Sequence, residues 1–257
     1  MIKTAYVSDV GRVRSVNEDS SWVAGLEQGY TLAIVADGMG GHRAGDTASR
    51  LTVETIVQDL RSLPAGLSPQ EFGDELQRAI LHANEIVFRE AKEHVEYYNM
   101  GTTVVAVLLQ ERIGVIGHIG DSRVYQFRKS DIAQITEDHS LVNELLKSNQ
   151  ISEQEANVHP HRNIVTRALG TDEQVAADMY PVTLDEGDIL LLCSDGLSNY
   201  VTPEQMIHTL EASELPLDHR ANQLLQFALD AGGDDNITVA LLEYHDESES
   251  SAKGWNL

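Results

Sequence analysis

Only one cysteine, Cys193, occurs in the 257 residues. That excludes a disulfide framework and a cysteine zinc site. Cys193 lies within Ile189-Leu190-Leu191-Leu192-Cys193 and reads as a small buried hydrophobe. No apolar run approaches the roughly 18 residues of a membrane span, and the N-terminus lacks the apolar core of a secretory signal. The chain therefore reads as soluble and cytoplasmic. Cations are scarce: 18 lysines and arginines stand against 41 acidic residues, for a net charge of −23. Without a Lys/Arg-rich run, such a surface repels nucleic acid and anionic membranes, so neither is an expected partner. Most of the acidity reads as well-solvated surface, and part of it as metal-binding carboxylate. Internal repeats are absent as well. A hydrophobic content of 42% fits a globular chain of one large domain or two small ones. At this length folding hides roughly 70–75% of the unfolded surface, so no covalent staple is required.

Apolar β-forming runs occupy 5–8, 21–24, 32–36, 102–109, 113–119, 124–127, 132–136, 188–194 and 237–244. The runs ending at Leu109 and starting at Ile113 are joined only by Gln110-Glu111-Arg112. So short a link permits only an antiparallel pair. Ala48, Leu51, Val53, Ile56, Val57 and Leu60 mark an amphipathic helix, and Phe72, Leu76, Ala79, Ile80, Ala83, Ile86 and Val87 a second. Residues 62–69 break between them, and two more helices are expected at 203–210 and 217–229. Residues 139–169 are polar, short-helical and interrupted at Pro160, the pattern of an insertion or flap. Hairpins with helix pairs between them predict an α+β layered domain rather than a doubly wound sheet.

The run 32–36 ends in Asp37-Gly38-Met39-Gly40-Gly41-His42. A glycine turn after a strand suggests phosphate cradling, but a dinucleotide loop would need glycine at Arg43, and the Gly-Lys-Ser/Thr ending of a P-loop is missing. What remains is a carboxylate beside exposed backbone, which suits a hard cation. One aspartate at a strand end is more often a turn or cap residue. Here the pattern recurs: Asp121 follows the strand ending near Gly120, Asp195 follows the strand ending at Ser194, and Asp234-Asp235-Asn236 precedes the strand from Ile237. In antiparallel sheets the start of one strand lies beside the end of its neighbour, so all four can meet at one edge.

Two ionised carboxylates about 5 Å apart repel by about 3 kcal/mol even at an effective dielectric near 20. Several together need cations or raised pKa values. Ligands that are all oxygen select Mg²⁺ or Mn²⁺ over zinc. Two divalent ions would outweigh Asp37, Asp195 and Asp235 by one unit of charge, a surplus that attracts an anionic substrate. Such a pair also lowers the pKa of its water and clamps an in-line displacement at phosphorus. The stretch Asp9-Val10-Gly11-Arg12-Val13-Arg14-Ser15-Val16-Asn17-Glu18-Asp19 adds arginines whose forks match phosphate oxygens. On composition alone that stretch reads as a solvated loop.

Taken in order, Arg14-x-x-Asn17-Glu18-Asp19, Asp37-Gly38-Met39-Gly40-Gly41-His42, Gly101-Thr102-Thr103, Gly120-Asp121-Ser122-Arg123, Asp138-His139-Ser140, Thr166-Arg167-Ala168-Leu169-Gly170, Ser194-Asp195-Gly196 and Asp235-Asn236 resemble the type 2C metal-dependent protein phosphatases, the PPM family. The similarity spans about residues 4–244 and is greatest to compact bacterial members that oppose eukaryote-like Ser/Thr kinases. The resemblance implies a four-layer αββα sandwich of two mainly antiparallel sheets flanked by helix pairs. It implies a single phosphatase domain over 1–244, a flap at about 141–165, and a polar, acidic tail over 245–257. It also implies that Asp37 bridges two Mn²⁺ or Mg²⁺ ions, that Gly38 lends its carbonyl, and that Asp195 and Asp235 complete the coordination of the first of these ions. Asp121, with Asp195, would hold a weaker third ion, Glu18 and Asp19 would lie in or just behind the shell, and Arg14 would bind substrate phosphate.

The implied reaction is hydrolysis of phosphoserine and phosphothreonine by in-line attack of a metal-bridging water or hydroxide. Animal relatives place a histidine two residues after the bridging aspartate, where this chain has Met39; bacterial members carry it five residues after, at His42. His42 is thus the candidate acid for the leaving oxygen, a metal-bound water being the alternative; orienting water or capping the next helix is its plainer role. His139 reads as structural, His118 as a satisfied core residue, and His159 and His161 as solvated flap. The expected partners are phosphorylated proteins, including a eukaryote-like Ser/Thr kinase and its substrates, and a monomer is expected. Two other classes compete. A non-catalytic phosphoprotein-binding module should have lost metal ligands, whereas all four aspartates stand. A calcineurin-like phosphoesterase needs Gly-Asp-x-x-Asp, but Gly120-Asp121 is followed by Ser122, Arg123 and Val124.

Overall fold

The computed structural model describes residues 1–40 and 44–246. In chain order the strands are β1 (Ile2–Asp9), β2 (Asp19–Gly25), β3 (Tyr30–Met39), β4 (Gly101–Thr102), β5 (Val104–Gln110), β6 (Ile113–Ile119), β7 (Arg123–Arg128), β8 (Asp131–Gln134), β9 (Asp178–Thr183), β10 (Ile189–Cys193) and β11 (Ile237–Tyr244). The helices are α1 (Ala44–Leu60), α2 (Pro69–Glu93), α3 (Leu141–Lys147), α4 (Glu153–Asn157), α5 (Asp195–Ser198), α6 (Pro203–Glu211) and α7 (Leu217–Asp230). One sheet runs β1-β11-β10-β7-β8 and the other β2-β3-β5-β6-β9, with β4 added to the end of β3. All of these pairings are antiparallel.

The continuous apolar runs are explained by burial on both faces. Along β3, Leu32, Ile34 and Ala36 pack under α1 and α2, with Ile56, Leu60, Leu76 and Ile80. The alternate residues, Ala33 and Val35, face the other sheet and meet Leu190, Leu192, Ala240 and Leu242. On the far side Leu191, Cys193, Val239 and Leu241 pack against Met206, Leu210 and Leu224 of α6 and α7. A period of two with both faces apolar gives a strand with no polar side, and four layers follow. Ser68 closes a capping box with Glu71 ahead of Pro69, which stops the chain between α1 and α2 from continuing as helix.

Two features differ from the expectation. β3 does not end at Ala36: Asp37 lies opposite Asp19, and Gly38 and Met39 pair with Thr102 and Gly101. The extra pairing partner, β4, satisfies backbone that would otherwise turn away. β9 has no counterpart among the expected strands, because Pro181 interrupts it; the strand lies at a sheet edge, where a missing amide is tolerated. Residues 139–169 carry the short helices α3 and α4, as their pattern predicts. Among the described residues no helix is long and apolar enough to cross a membrane.

Leu76 is fully buried between α2 and the sheet. Leu76→Ala should cost about 2–5 kcal/mol in urea unfolding, whereas Val95→Ala, at a site 91% exposed, should stay within about 0.5 kcal/mol.

Candidate metal centre

The four aspartates arrive from both sheets. Asp37 lies in β3 and Asp121 just after β6, in one sheet; Asp195 follows β10 and Asp235 precedes β11, in the other. All four line one cleft of about 250 Å³, whose walls also carry Arg14, Glu18 and Gly38. The site is a seam between sheets, and Asp19 bolts it. Its Cα pairs with Asp37, while its Oδ2 accepts 2.7 Å hydrogen bonds from Ser194 Oγ and Thr238 Oγ1 of the opposite sheet.

Backbone contacts hold Asp37 in place. The Asp37 amide donates to Thr103 Oγ1 at 3.0 Å, and the Asp37 carbonyl accepts from the Thr103 amide and the Thr102 hydroxyl, both at 2.9 Å. Thr103 Oγ1 also meets Ser122 Oγ at 2.7 Å, which links the Asp37 strand to the Asp121 turn. At Gly38 a Cβ would lie 2.2 Å from the Gly45 carbonyl oxygen and 2.6 Å from that of Glu18, so any side chain would push α1 and the Glu18 backbone away from the cleft. Asn236 fixes the loop that carries Arg14: its Oδ1 accepts from the Glu18 amide at 2.8 Å, and its Nδ2 donates to the carbonyls of Val10 (2.9 Å) and Val16 (3.0 Å). Arg14 Nη2 reaches Asp235 Oδ2 at 2.7 Å, with the guanidinium half exposed to the cleft.

The electrostatics follow from crowding. Burial, and then the charges of Asp19, Asp195, Asp121 and Asp235, hold the Asp37 carboxyl well above the usual range. Burial followed by Asp195 and Asp138 pushes Asp121 up to about 7. Burial followed by Asp235 raises Asp195 to about 6, although Asp37, Arg14 and Arg123 pull it back. Asp19 is raised to about 7 by burial, against the two hydroxyls that bond it. Burial also raises Glu18. Two buried oxygens, Glu18 Oε1 and Asp19 Oδ1, have no hydrogen-bond partner. Clustered carboxylates with raised pKa values and orphaned oxygens fit hard divalent cations, which would supply the missing positive charge. Among the described residues, three ligand atoms fall within 4.8 Å of one another only at Glu90, Glu93 and His94.

The remaining sequence candidates separate clearly. His42 lies outside the described residues, as does the tail from 247 on. His118 is fully buried, as expected of a core residue; its ring nitrogens make no well-formed hydrogen bond, and the Ser122 backbone is the polar group that acts on them. Its ring stacks on that of His139, with centroids 4.8 Å apart, and burial pushes its pKa down to about 3. His159 and His161 are on the surface and join no group of metal-ligating side chains among the described residues. Asn163 and Val165 also line the cleft, and no motif in the sequence marks them. A second, larger cleft of about 590 Å³ shares Asp121 and Asp195 with the first and runs beneath α3 past Asn143, Leu146 and Arg162.

A family model described as protein phosphatase 2C matches residues 11–230. A Listeria innocua protein named serine/threonine phosphatase stp is 41% identical over 236 residues, 92% of this chain and 93% of that protein. The solved S. agalactiae serine/threonine phosphatase aligns with a TM-score of 0.90 at 36% identity, covering 96% of this chain and 100% of that one. The solved catalytic domain of the serine/threonine protein phosphatase PstP in complex with two manganese ions aligns with a TM-score of 0.83 at 33% identity, covering 95% and 99%.

A carboxylate whose folded pKa is raised favours the folded state fully below about pH 4 and loses that contribution as pH climbs through the folded value. His118, buried and neutral, acts in the opposite direction over part of the same window, so a variant must isolate the carboxylates. In chelator, Asp37→Asn should gain melting temperature over the unsubstituted protein, and by more at pH 8 than at pH 5. Equal offsets at the two pH values would contradict this electrostatic account.

Proposed function

The chain belongs to the protein phosphatase 2C family and is a metal-dependent serine/threonine protein phosphatase, and from that premise we propose how its own residues divide the work. Asp37, the Gly38 carbonyl, Asp195 and Asp235 would hold two divalent ions, Mn²⁺ or Mg²⁺. Asp121 with Asp195 would hold a weaker third, and Glu18 and Asp19 would brace the shell from behind. When bound, such ions supply Lewis-acid polarisation of phosphoryl oxygens and of water at neutral pH. One observation carries this assignment: four aspartates from two sheets line a single cleft, and burial with mutual charge raises the carboxyls of Asp37, Asp121 and Asp195, as expected of ligands without their cations.

Arg14 is the group for the substrate. Its fork stands in the same cleft on a loop pinned by Asn236, and it can exchange the Asp235 carboxylate for two phosphoryl oxygens. The Thr102 and Thr103 contacts hold the Asp37 backbone while charge shifts around it, which keeps the reacting geometry preorganised. His42 is the side chain proposed to protonate the leaving serine or threonine oxygen, with water as the alternative donor.

The segment 141–165 is read as a flap over this cleft, because α3 and its neighbours roof the second cleft that continues from Asp121 and Asp195. The substrates are phosphorylated proteins; among them we place the targets of a eukaryote-like Ser/Thr kinase, and the kinase itself, in bacterial signalling. The lone buried Cys193 supports a reducing, cytoplasmic site of action. The phosphatase is proposed to act as a monomer.

Asp37→Ala and Asp195→Ala should each abolish Mn²⁺-dependent hydrolysis of a phosphothreonine peptide while circular dichroism shows the fold retained. Arg14→Ala should lower kcat/KM by about 10–100-fold, the worth of a charged hydrogen-bonded contact. Full activity in either aspartate variant, or in excess chelator, would overturn the assignment.

A further inference from the structure

Asp121 turns on Gly120. That glycine adopts φ +112°, and a Cβ on it would lie 2.6 Å from the Thr103 side chain, so the turn is closed to any other residue. His139 grips both of its polar groups. The Gly120 amide donates to His139 Nδ1 at 3.0 Å, and the His139 amide donates to the Gly120 carbonyl at 2.8 Å. Accepting at Nδ1 puts the ring proton on Nε2, which donates to Asp178 Oδ2 at 3.0 Å. The other oxygen of Asp178 accepts from Arg167 Nη1 at 2.9 Å, and Arg167 is steadied in turn by the Ala176 carbonyl at 3.2 Å. On the ring's face lies His118, which contributes a flat, uncharged surface.

The main chain of His139 faces the flap. Its carbonyl accepts from the Thr166 amide at 2.8 Å, and the adjoining residues continue the contact through Leu141 to the Ile164 carbonyl and a bridge between Ser140 and Val165. Both stems of the segment between β8 and β9 therefore converge on His139. A histidine that merely filled core space would not need two bonds to one glycine, a defined tautomer and a carboxylate relay behind it.

We propose that His139 is a positioning residue: its Nε2–H tautomer sets the Gly120–Asp121 turn through Nδ1 while its main chain holds the flap stems, so that the seat of the flap and the aim of the Asp121 carboxylate move as one unit. This rests on the reading of Asp121 as a metal ligand. Burial lowers the His139 pKa, which keeps the Nδ1 lone pair available to the Gly120 amide.

Two near-isosteres separate the ring's functions. His139→Asn keeps an acceptor at the place of Nδ1 and loses Nε2, whereas His139→Gln keeps a donor near Nε2 and loses the acceptor. The measurements are Mn²⁺ binding by calorimetry and the ¹H–¹⁵N resonance of the Gly120 amide in the metal-free protein, with Asp121→Ala as the benchmark. Asp121→Ala and His139→Gln should each weaken the weakest Mn²⁺ event by about tenfold or more, the usual effect of losing a group that orients a ligand. His139→Asn should stay within about threefold of the original protein on that scale. The Gly120 amide should shift in His139→Gln and hold in His139→Asn. If His139→Gln fails to fold, Asp178→Ala, which removes the acceptor that fixes the tautomer, should move the Gly120 amide likewise. Identical behaviour of the Asn and Gln variants would overturn the proposal, as would a Gln variant that binds Mn²⁺ normally while Asp121→Ala does not. Unchanged binding in Asp121→Ala would instead sink the ligand reading, and the Gly120 resonance alone would then decide the positioning role.

Discussion

Desolvation and mutual repulsion of carboxylates crowded into one half-buried cleft are the constraint from which the rest of this structure follows. Asp37, Asp121, Asp195 and Asp235 line one cleft, with Asp19 directly behind Asp37. Each charge pair at about 5 Å costs about 3 kcal/mol at an effective dielectric near 20, a large share of the net stability of any domain. The fold withstands this because the carboxylates are carried on the ends of doubly buried strands, whose packing does not depend on the cleft. Raised pKa values are the relief available without cations, and divalent ions are the relief that also produces chemistry.

The seam between the sheets explains why that cluster can be built at all. A cleft within one sheet would draw its ligands from neighbouring strands at fixed spacing. Here two of the aspartates come from each sheet, and the polar residues between them set the distance. Asp19 reaches across to Ser194 and Thr238, Thr103 ties Asp37 to Ser122, and Asn236 clasps the Arg14 loop to the Asp235 turn. These residues need touch no substrate, yet they determine where the charges stand. The Gly-Thr-Thr and Asp-Asn motifs acquire a physical role in this way, as clamps on the backbone around the aspartates.

Much of this was legible in the chain itself, for physical reasons. Apolar runs that end in aspartate marked the strands and their shared edge, and the helical periods of α1, α2, α6 and α7 lie within a few residues of their bounds. What escaped depends on tertiary partners. β9 hides behind Pro181, because an edge strand can dispense with an amide that an inner strand needs. Asp37 sits inside a strand rather than after one because β4, only two residues long, prolongs the pairing. His118 is in the core as its apolar neighbours indicate, but its stacking on the face of His139 depends on a tertiary approach that the strand pattern does not show. Arg14 was placed at the cleft by its motif, but the Asp235 carboxylate it holds there follows only from the approach of the β11 turn to the loop.

Anomalous diffraction from crystals grown with Mn²⁺ tests the central claim most directly. The account predicts at least two manganese peaks within the seam cleft, bounded by Asp37, Asp195 and Asp235 and lost in Asp37→Ala. An empty cleft, with manganese bound only at an exposed group such as Glu90, Glu93 and His94, would contradict it.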